Sequence, residues 1–179
     1  MIGNDIIDLQ LAKKQSNWQR KGWLQKIFTT TEQKYILSSK DPELQVWLFW
    51  SMKEAAYKGH QRRFSLPPKL NPKDFKCALD GMVSIDRHLY YTESEMTQYY
   101  IHTTAKSPRN NYYSSICKKD TDIYQSLTQS IRQKLNIQAS IFIQKDTNRI
   151  PMVYINKKES DIQISISNHG MYSAFILNV

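Results

Sequence analysis

The sequence predicts an α+β fold in which an antiparallel sheet packs on a long central helix. Three observations carry this. Residues 41–59, DPELQVWLFWSMKEAAYKG, read as one complete helix with both ends marked. Residues 76–118 alternate in β fashion between turn signals. Ile162, Ile164 and Ile166 alternate with Gln163, Ser165 and Ser167, so one face of that strand is apolar and the other polar. A chain of 179 residues with 40% hydrophobic content suits one globular domain, 1–179, or two small lobes, 1–118 and 119–179.

Ile2 to Leu9 forms a short opening strand on which Asp5, Ile7 and Leu9 share one face. Asp5 is then a carboxylate near a buried strand, or a solvated strand-end aspartate. Residues 10–27, with Trp18, Trp23, Leu24 and Ile27, read as helix or helical turns. Thr29-Thr30-Thr31-Glu32 fits a capping box opening a helix over 30–39. Asp41 can cap the central helix and Pro42 suits its first position. Gly59 can take the left-handed conformation that closes it. Apolar residues cover most of the first three turns, which predicts burial on several sides. The last turns nevertheless carry Lys53, Glu54 and Lys58. Charges are rarely buried without a partner or a metal. A Glu54–Lys58 pair supporting a helix end is one explanation, worth roughly a few tenths of a kcal/mol. A functional site is the other.

After Gly59, HQRRFSLPPKLNPKDF reads as an extended loop. Lys58, His60, Arg62 and Arg63 form a basic cluster that either faces solvent or holds phosphates. The strands of 76–118 turn at Asp80-Gly81 and at Pro108–Asn111. Their tyrosines (90, 91, 99, 100, 112 and 113) are either stacking platforms for bases or pairs with one ring in and one out. Ile123, Leu127, Ile131 and Leu135 mark an amphipathic helix over 121–136. ASIFIQ and IPMVYIN are strands around a turn at Asp146-Thr147-Asn148. Asn168-His169-Gly170-Met171 turns the chain into the antiparallel strand YSAFIL.

A formal charge of +9 predicts an anionic partner. Cys77 and Cys117 lack a metal or redox spacing and are expected to be reduced in a cytosolic protein. The start MIGNDIIDL lacks the features of a signal peptide, and no apolar run approaches the roughly 20 residues needed to span a bilayer. A cytoplasmic protein without membrane association is therefore expected. No glycine-rich phosphate loop is present.

Taken in order, several pieces resemble the 4′-phosphopantetheinyl transferase superfamily. IGNDIIDL resembles its opening G-x-D-[IV] strand, and FTTTE its F-[ST]-x-x-E segment. WSMKEAAYK resembles its W-[ST]-x-K-E-[AS]-x-x-K helix, the most specific of the set. RRFSLPPKLNPKDF is similar to the loop that follows, and RIPMVYINKKESDIQISISNHGMYSAFIL to its G-[KR]-P-x-[IVL] turn and S-[IL]-S-H strand. Residues 76–118 match in strand character only.

The resemblance implies a transferase-like fold and Mg²⁺-dependent transfer of the phosphopantetheine arm of coenzyme A. The acceptor would be a serine of an apo acyl or peptidyl carrier protein, an acidic partner, with adenosine 3′,5′-bisphosphate released. By matching position it implies Asp5 and Glu54 as metal ligands. Glu54 and Lys58 would be catalytic, Glu54 taking the serine proton and Lys58 neutralising the leaving group. Lys53, Lys58, Arg63, Ser167, Asn168 and His169 would contact the coenzyme.

Two positions depart from the family pattern. Asn168 stands where the histidine directly after S-x-S is usual, with His169 one later. Ile7 stands where surfactin-type members carry a third acidic ligand. Single copies of each motif favour one repeat that self-associates, for instance as a trimer. A monomer whose 119–179 half supplies the second wall is the alternative, since that half resembles the N-terminal lobe of the longer type. Two other functions compete: a basic, tyrosine-rich module for single-stranded nucleic acid, and a degenerate carrier-protein binder without turnover. No nucleic-acid motif is visible, and neither a nucleic-acid nor a membrane partner is expected.

Overall fold

The computed structural model describes residues 1–106 and 111–178. The fold is α+β, with two five-stranded antiparallel sheets and a long helix. The expected turn at Pro108–Asn111 lies almost wholly outside the described residues.

Strand β1 (Ile2–Asp8) opens the chain. Helices α1 (Leu9–Gln15), α2 (Trp23–Ile27) and α3 (Thr30–Ser38) follow. Asp8 caps α1, its carboxylate accepting from Gln10 N and Leu11 N. The capping box at α3 forms as expected, with Thr29 and Glu32 bonded reciprocally.

The central helix α4 runs from Pro42 to Phe64, 23 residues and about 35 Å. Asp41 caps its start, but Gly59 does not end it. Ser65, in the left-handed conformation at φ 49°, is the cap instead. Gly59 sits inside the helix against Gly3 of β1. A Cβ on Gly3 would lie 2.6 Å from Gly59 N and would also strike the Ala55 carbonyl. The glycine pair therefore exists for close backbone approach, not for helix termination. As a result His60, Arg62 and Arg63 are helical, not in a loop.

The first sheet has order β1-β5-β4-β3-β2. It contains β2 (Lys76–Cys77), β3 (Met82–Ile85), β4 (His88–Met96) and β5 (Tyr100–Lys106) beside β1. Its core lies against α4 and includes Ile7, Phe28, Ile36, Val46, Phe49, Met52, Tyr90 and Ile101. The tyrosine pair of β4 splits as strand alternation requires: Tyr90 is buried, Tyr91 exposed.

The second sheet has order β6-β10-β9-β8-β7. It contains β6 (Tyr112–Lys118), β7 (Ile141–Lys145), β8 (Pro151–Ile155), β9 (Lys158–His169) and β10 (Tyr172–Asn178). Strand β6 leaves the meander that precedes it and pairs with β10. Helix α5 (Ile123–Leu135) covers this sheet, burying Leu127 and Ile131 with Ile164, Phe175 and Leu177.

Strand β1 joins the two halves. Gly3, Asp5 and Ile7 face α4, and Asn4 and Asp8 face β9. The arginine at the end of α4 ties the same halves, Arg62 donating to Pro151 O at 2.8 Å and Ile164 O at 2.5 Å.

Gly3→Ala forces β1 and α4 apart. Chemical denaturation is expected to show a loss of about 3 kcal/mol, whereas Gly22→Ala, with open space at its Cβ position but a left-handed φ of 82°, is expected to cost about 1–2 kcal/mol from backbone strain alone.

Candidate active site between α4, β1 and β9

Helical spacing places Glu54 and Lys58 one turn apart on the face of α4 that meets β1. Strand alternation turns Asp5 toward the same face. The Lys58 ammonium lies 3.3 Å from Asp5 Oδ1 and 2.8 Å from the Asn4 carbonyl. Asp5 Oδ2 is buried and has no hydrogen-bond partner among the described residues. Burial raises the Asp5 pKa above the usual carboxylate range, with Lys58 pulling the other way. Burial, and then the Asp5 carboxylate, push Glu54 up to about 7, with Lys58 again opposing.

A buried carboxylate, Asp5, and a half-buried one, Glu54, thus share one lysine. An unpaired carboxylate oxygen beside a second carboxylate is the donor set of a hard cation. Among the described residues no group of three or more His, Cys, Asp or Glu side chains is placed to hold a metal ion. Mg²⁺ does not need such a cage, because it takes one or two carboxylates and completes its shell with substrate phosphate and water. Asp5 and Glu54 fit that ion.

Two clefts flank the carboxylates. One, of about 590 Å³, is lined by Asp5, Glu54, Ile7, Ala12, Trp47, Trp50 and His169. The other, of about 870 Å³, is basic, with Lys58, Arg62, Lys145 and Arg149 on its walls and Tyr57 and Tyr124 beside them. Both volumes suit a small organic ligand. Asn168 is exposed and borders both clefts.

The other expected residues fall differently. Ser167 is buried and its hydroxyl accepts from Asn4 Nδ2 at 2.9 Å, so it braces β1 and lines neither cleft. His169 shares the Ser165 and Ser167 face, and its Nδ1 accepts from Asp8 N–H at 2.9 Å. That bond leaves the ring proton on Nε2. Asp8 joins the same corner, accepting from Met171 N. Burial would raise the Asp8 pKa, but the N–H groups of Met171, Leu11 and Gln10 outweigh it and hold the carboxyl low.

Lys53 and Arg63 depart from the expectation. Lys53 is fully buried, and its ammonium is enclosed by Glu32 Oε1 at 2.7 Å, Pro72 O at 3.0 Å and Phe75 O. Glu32 also accepts from Cys77 N at 2.6 Å and Thr29 N at 2.7 Å. The pair is a strut between α3, α4 and the start of the first sheet, and it does not reach either cleft. Arg63 lies on the far side of α4 from Glu54, exposed over the Phe64 ring. Its neighbour Arg62 takes the place in the basic cleft. Burial lowers the Arg62 pKa to about 10, with Asp146 opposing. Sequence reading missed Lys145 and Arg149, which flank a turn with no local mark of a ligand site. It also missed Trp47 and Trp50 as walls, and Asn4 altogether.

A dicarboxylate with one lysine, between a basic cleft and an aromatic one, suits a transferase that handles a phosphate-bearing substrate with an apolar arm. The comparison with known families agrees in kind: the sequence profile of the 4′-phosphopantetheinyl transferase superfamily matches residues 1–117. This chain belongs to the 4′-phosphopantetheinyl transferase superfamily, whose general activity is phosphopantetheinyl transfer. The match spans β1 through almost all of β6 and so includes Asp5, Glu54 and Lys58. No curated protein matches the chain.

Lys53→Met strands the buried Glu32 carboxylate, and urea unfolding is expected to show a loss of about 3–5 kcal/mol. Adding Glu32→Gln is expected to restore part of it.

His102, buried on β5 beside Asn4, offers a second test. Burial lowers its pKa to about 4 from an ordinary 6.5, with Glu95 raising it and Lys58 lowering it further. The folded state therefore refuses a proton that the unfolded chain accepts. This contribution is fully present above about pH 6.5 and is lost as pH falls toward 4, on the order of 3 kcal/mol in all. Stability measured across that range is expected to fall less steeply in His102→Gln.

Proposed function

We propose that this protein transfers the 4′-phosphopantetheine arm of coenzyme A to a serine of an apo acyl or peptidyl carrier protein, with Mg²⁺ held by Asp5 and Glu54. The observation that carries the reading is the unpaired Asp5 Oδ2 beside the half-buried Glu54 carboxylate and Lys58, at the junction of two unlike clefts. When bound, the cation would grip the pyrophosphate and offset charge at the phosphorus under attack.

The chain's own groups supply the rest. The basic cleft, with Arg62, Lys145 and Arg149, suits the nucleotide end and its 3′-phosphate. The Trp47–Trp50 cleft suits the uncharged pantetheine arm and the incoming serine. The serine oxygen forms the new bond to phosphorus, and the bond from phosphorus to the adenosine 3′,5′-bisphosphate oxygen breaks. Glu54 takes the hydroxyl proton, directly or through a water. Lys58, held by the Asn4 carbonyl, neutralises the departing phosphate. His169 Nε2–H and the Asn168 amide are donors at the border of the clefts. The five basic residues Lys13, Lys14, Arg20, Lys21 and Lys26, with no acidic residue among 9–31, suit the acidic carrier.

Both walls come from one chain, since the 158–178 hairpin lies against β1. This supports the whole of 1–179 acting as one unit, with the second half in place of a second copy. Activity per chain is then expected to be unchanged on dilution to a concentration at which light scattering reports monomer.

Mass spectrometry of an apo carrier protein with coenzyme A and Mg²⁺ tests the reaction. A phosphopantetheine-sized gain is expected, abolished in Asp5→Ala and Glu54→Ala. Lys145→Ala and Arg149→Ala are expected to raise KM for coenzyme A about tenfold or more, with a smaller effect on kcat. A gain retained in both carboxylate variants would sink the site assignment.

A further inference from the structure

We propose that Asn4 is a positioning residue for the transfer reaction, one that registers the Asp5–Lys58 side of the site against the β9 wall bearing Asn168 and His169. The inference rests on the transferase reading given above. Asn4 is fully buried. Three of its groups reach three parts of the site. Its carbonyl accepts from Lys58 Nζ at 2.8 Å. Its backbone N–H donates to Ser165 Oγ at 3.1 Å. Its Nδ2 donates to Ser167 Oγ at 2.9 Å and lies 3.4 Å from His102 Nε2. Ser167 directly precedes Asn168, which borders both clefts. One residue, next in sequence to Asp5, therefore sets where the nucleotide-side wall stands relative to the reacting carboxylates.

Folding alone gives a weak reason for an amide here. Asn4 Oδ1 is buried without a partner among the described residues. An orphaned buried acceptor costs stability, and an apolar group of the same shape avoids that cost. Leucine is nearly isosteric and fills the same space between β1 and β9. What it cannot do is hold the Ser167 hydroxyl. Because the amide spans two walls of the site, its loss is expected to show in their relative position before it shows in stability.

The test uses the full chain with Asn4→Leu, Ser167→Ala and the double variant. It reads thermal melting, coenzyme A titration, steady-state kinetics and hydrogen exchange over 158–170. For Asn4→Leu the melting temperature is expected to hold or rise. The Kd and KM for coenzyme A are expected to rise about tenfold, with kcat within about twofold. The double variant is expected to be no worse than the weaker single one, as for two ends of one bond. Exchange at Ser165–His169 is expected to quicken while that of β5 does not. Unchanged KM and unchanged exchange would overturn the proposal. So would melting, KM and kcat all worsening together, since that marks a merely structural residue. If the wild type neither binds coenzyme A nor modifies any carrier, it is the transferase reading that fails. The exchange arm then stands alone: quickened exchange supports the hold of Asn4 on β9, and unchanged exchange refutes it.

Discussion

Strand β1 has one edge paired with β5, and on its other edge no strand among the described residues forms a backbone ladder with it, although the β9–β10 hairpin packs there. Unpaired backbone groups at a buried strand edge are costly, so they must find other partners. Here the partners are side chains from elsewhere in the chain. Ser165 takes Asn4 N–H, His169 takes Asp8 N–H, and Lys58 donates to the Asn4 carbonyl. These three bonds bring β9 and α4 to the same short strand. The Gly3–Gly59 contact lets α4 come close enough to do so. The candidate site is a consequence of this closure: Asp5 lies between residues whose backbone is already held on both sides.

The protein buries charge in two ways, and the contrast separates scaffold from chemistry. Lys53 and Glu32 are both almost completely enclosed, every Lys53 N–H has an acceptor, and both Glu32 oxygens are bonded. Such a pair holds its neighbours in place and has nothing left for a ligand. Asp5, Glu54 and Lys58 are under-compensated: two carboxylates, one ammonium, an orphaned oxygen, and a Glu54 pKa raised to about 7. Perturbed and unsatisfied groups at the meeting of two clefts mark a functional site more often than a structural one. Sequence spacing makes Lys53, Glu54 and Lys58 look like one cluster. Partner geometry divides it into a strut and a site.

Long-range contacts also explain where local reading went astray. Gly59 has the residue type of a helix end, but Gly3 turns it into a helix contact point. Helix α4 therefore continues for five more residues and presents Arg62 to the basic cleft, with Arg63 on the far side. Ser167 sits in a motif associated with ligand contact, yet alternation along β9 turns its hydroxyl to Asn4. The same alternation places Asn168 at the clefts and His169 against β1. Strand β6 follows the first meander in sequence but pairs in the second sheet.

What the sequence determined by itself is what depends on near neighbours. The α+β class, the caps at Thr29 and Asp41, the alternating faces of β4 and β9, and the placing of Glu54 and Lys58 one turn apart all follow from periods of 2 and 3.6 residues and from local hydrogen bonds. The tertiary structure alone decided which charges are satisfied, which strand edge is open, and which basic residues share a cleft. Each of those depends on partners far away in the chain: Asn4 with Ser165 and Ser167, Lys53 with Glu32, Arg62 with Pro151. Pairing across such distances leaves no periodic trace, because only the burial of a polar group selects its partner.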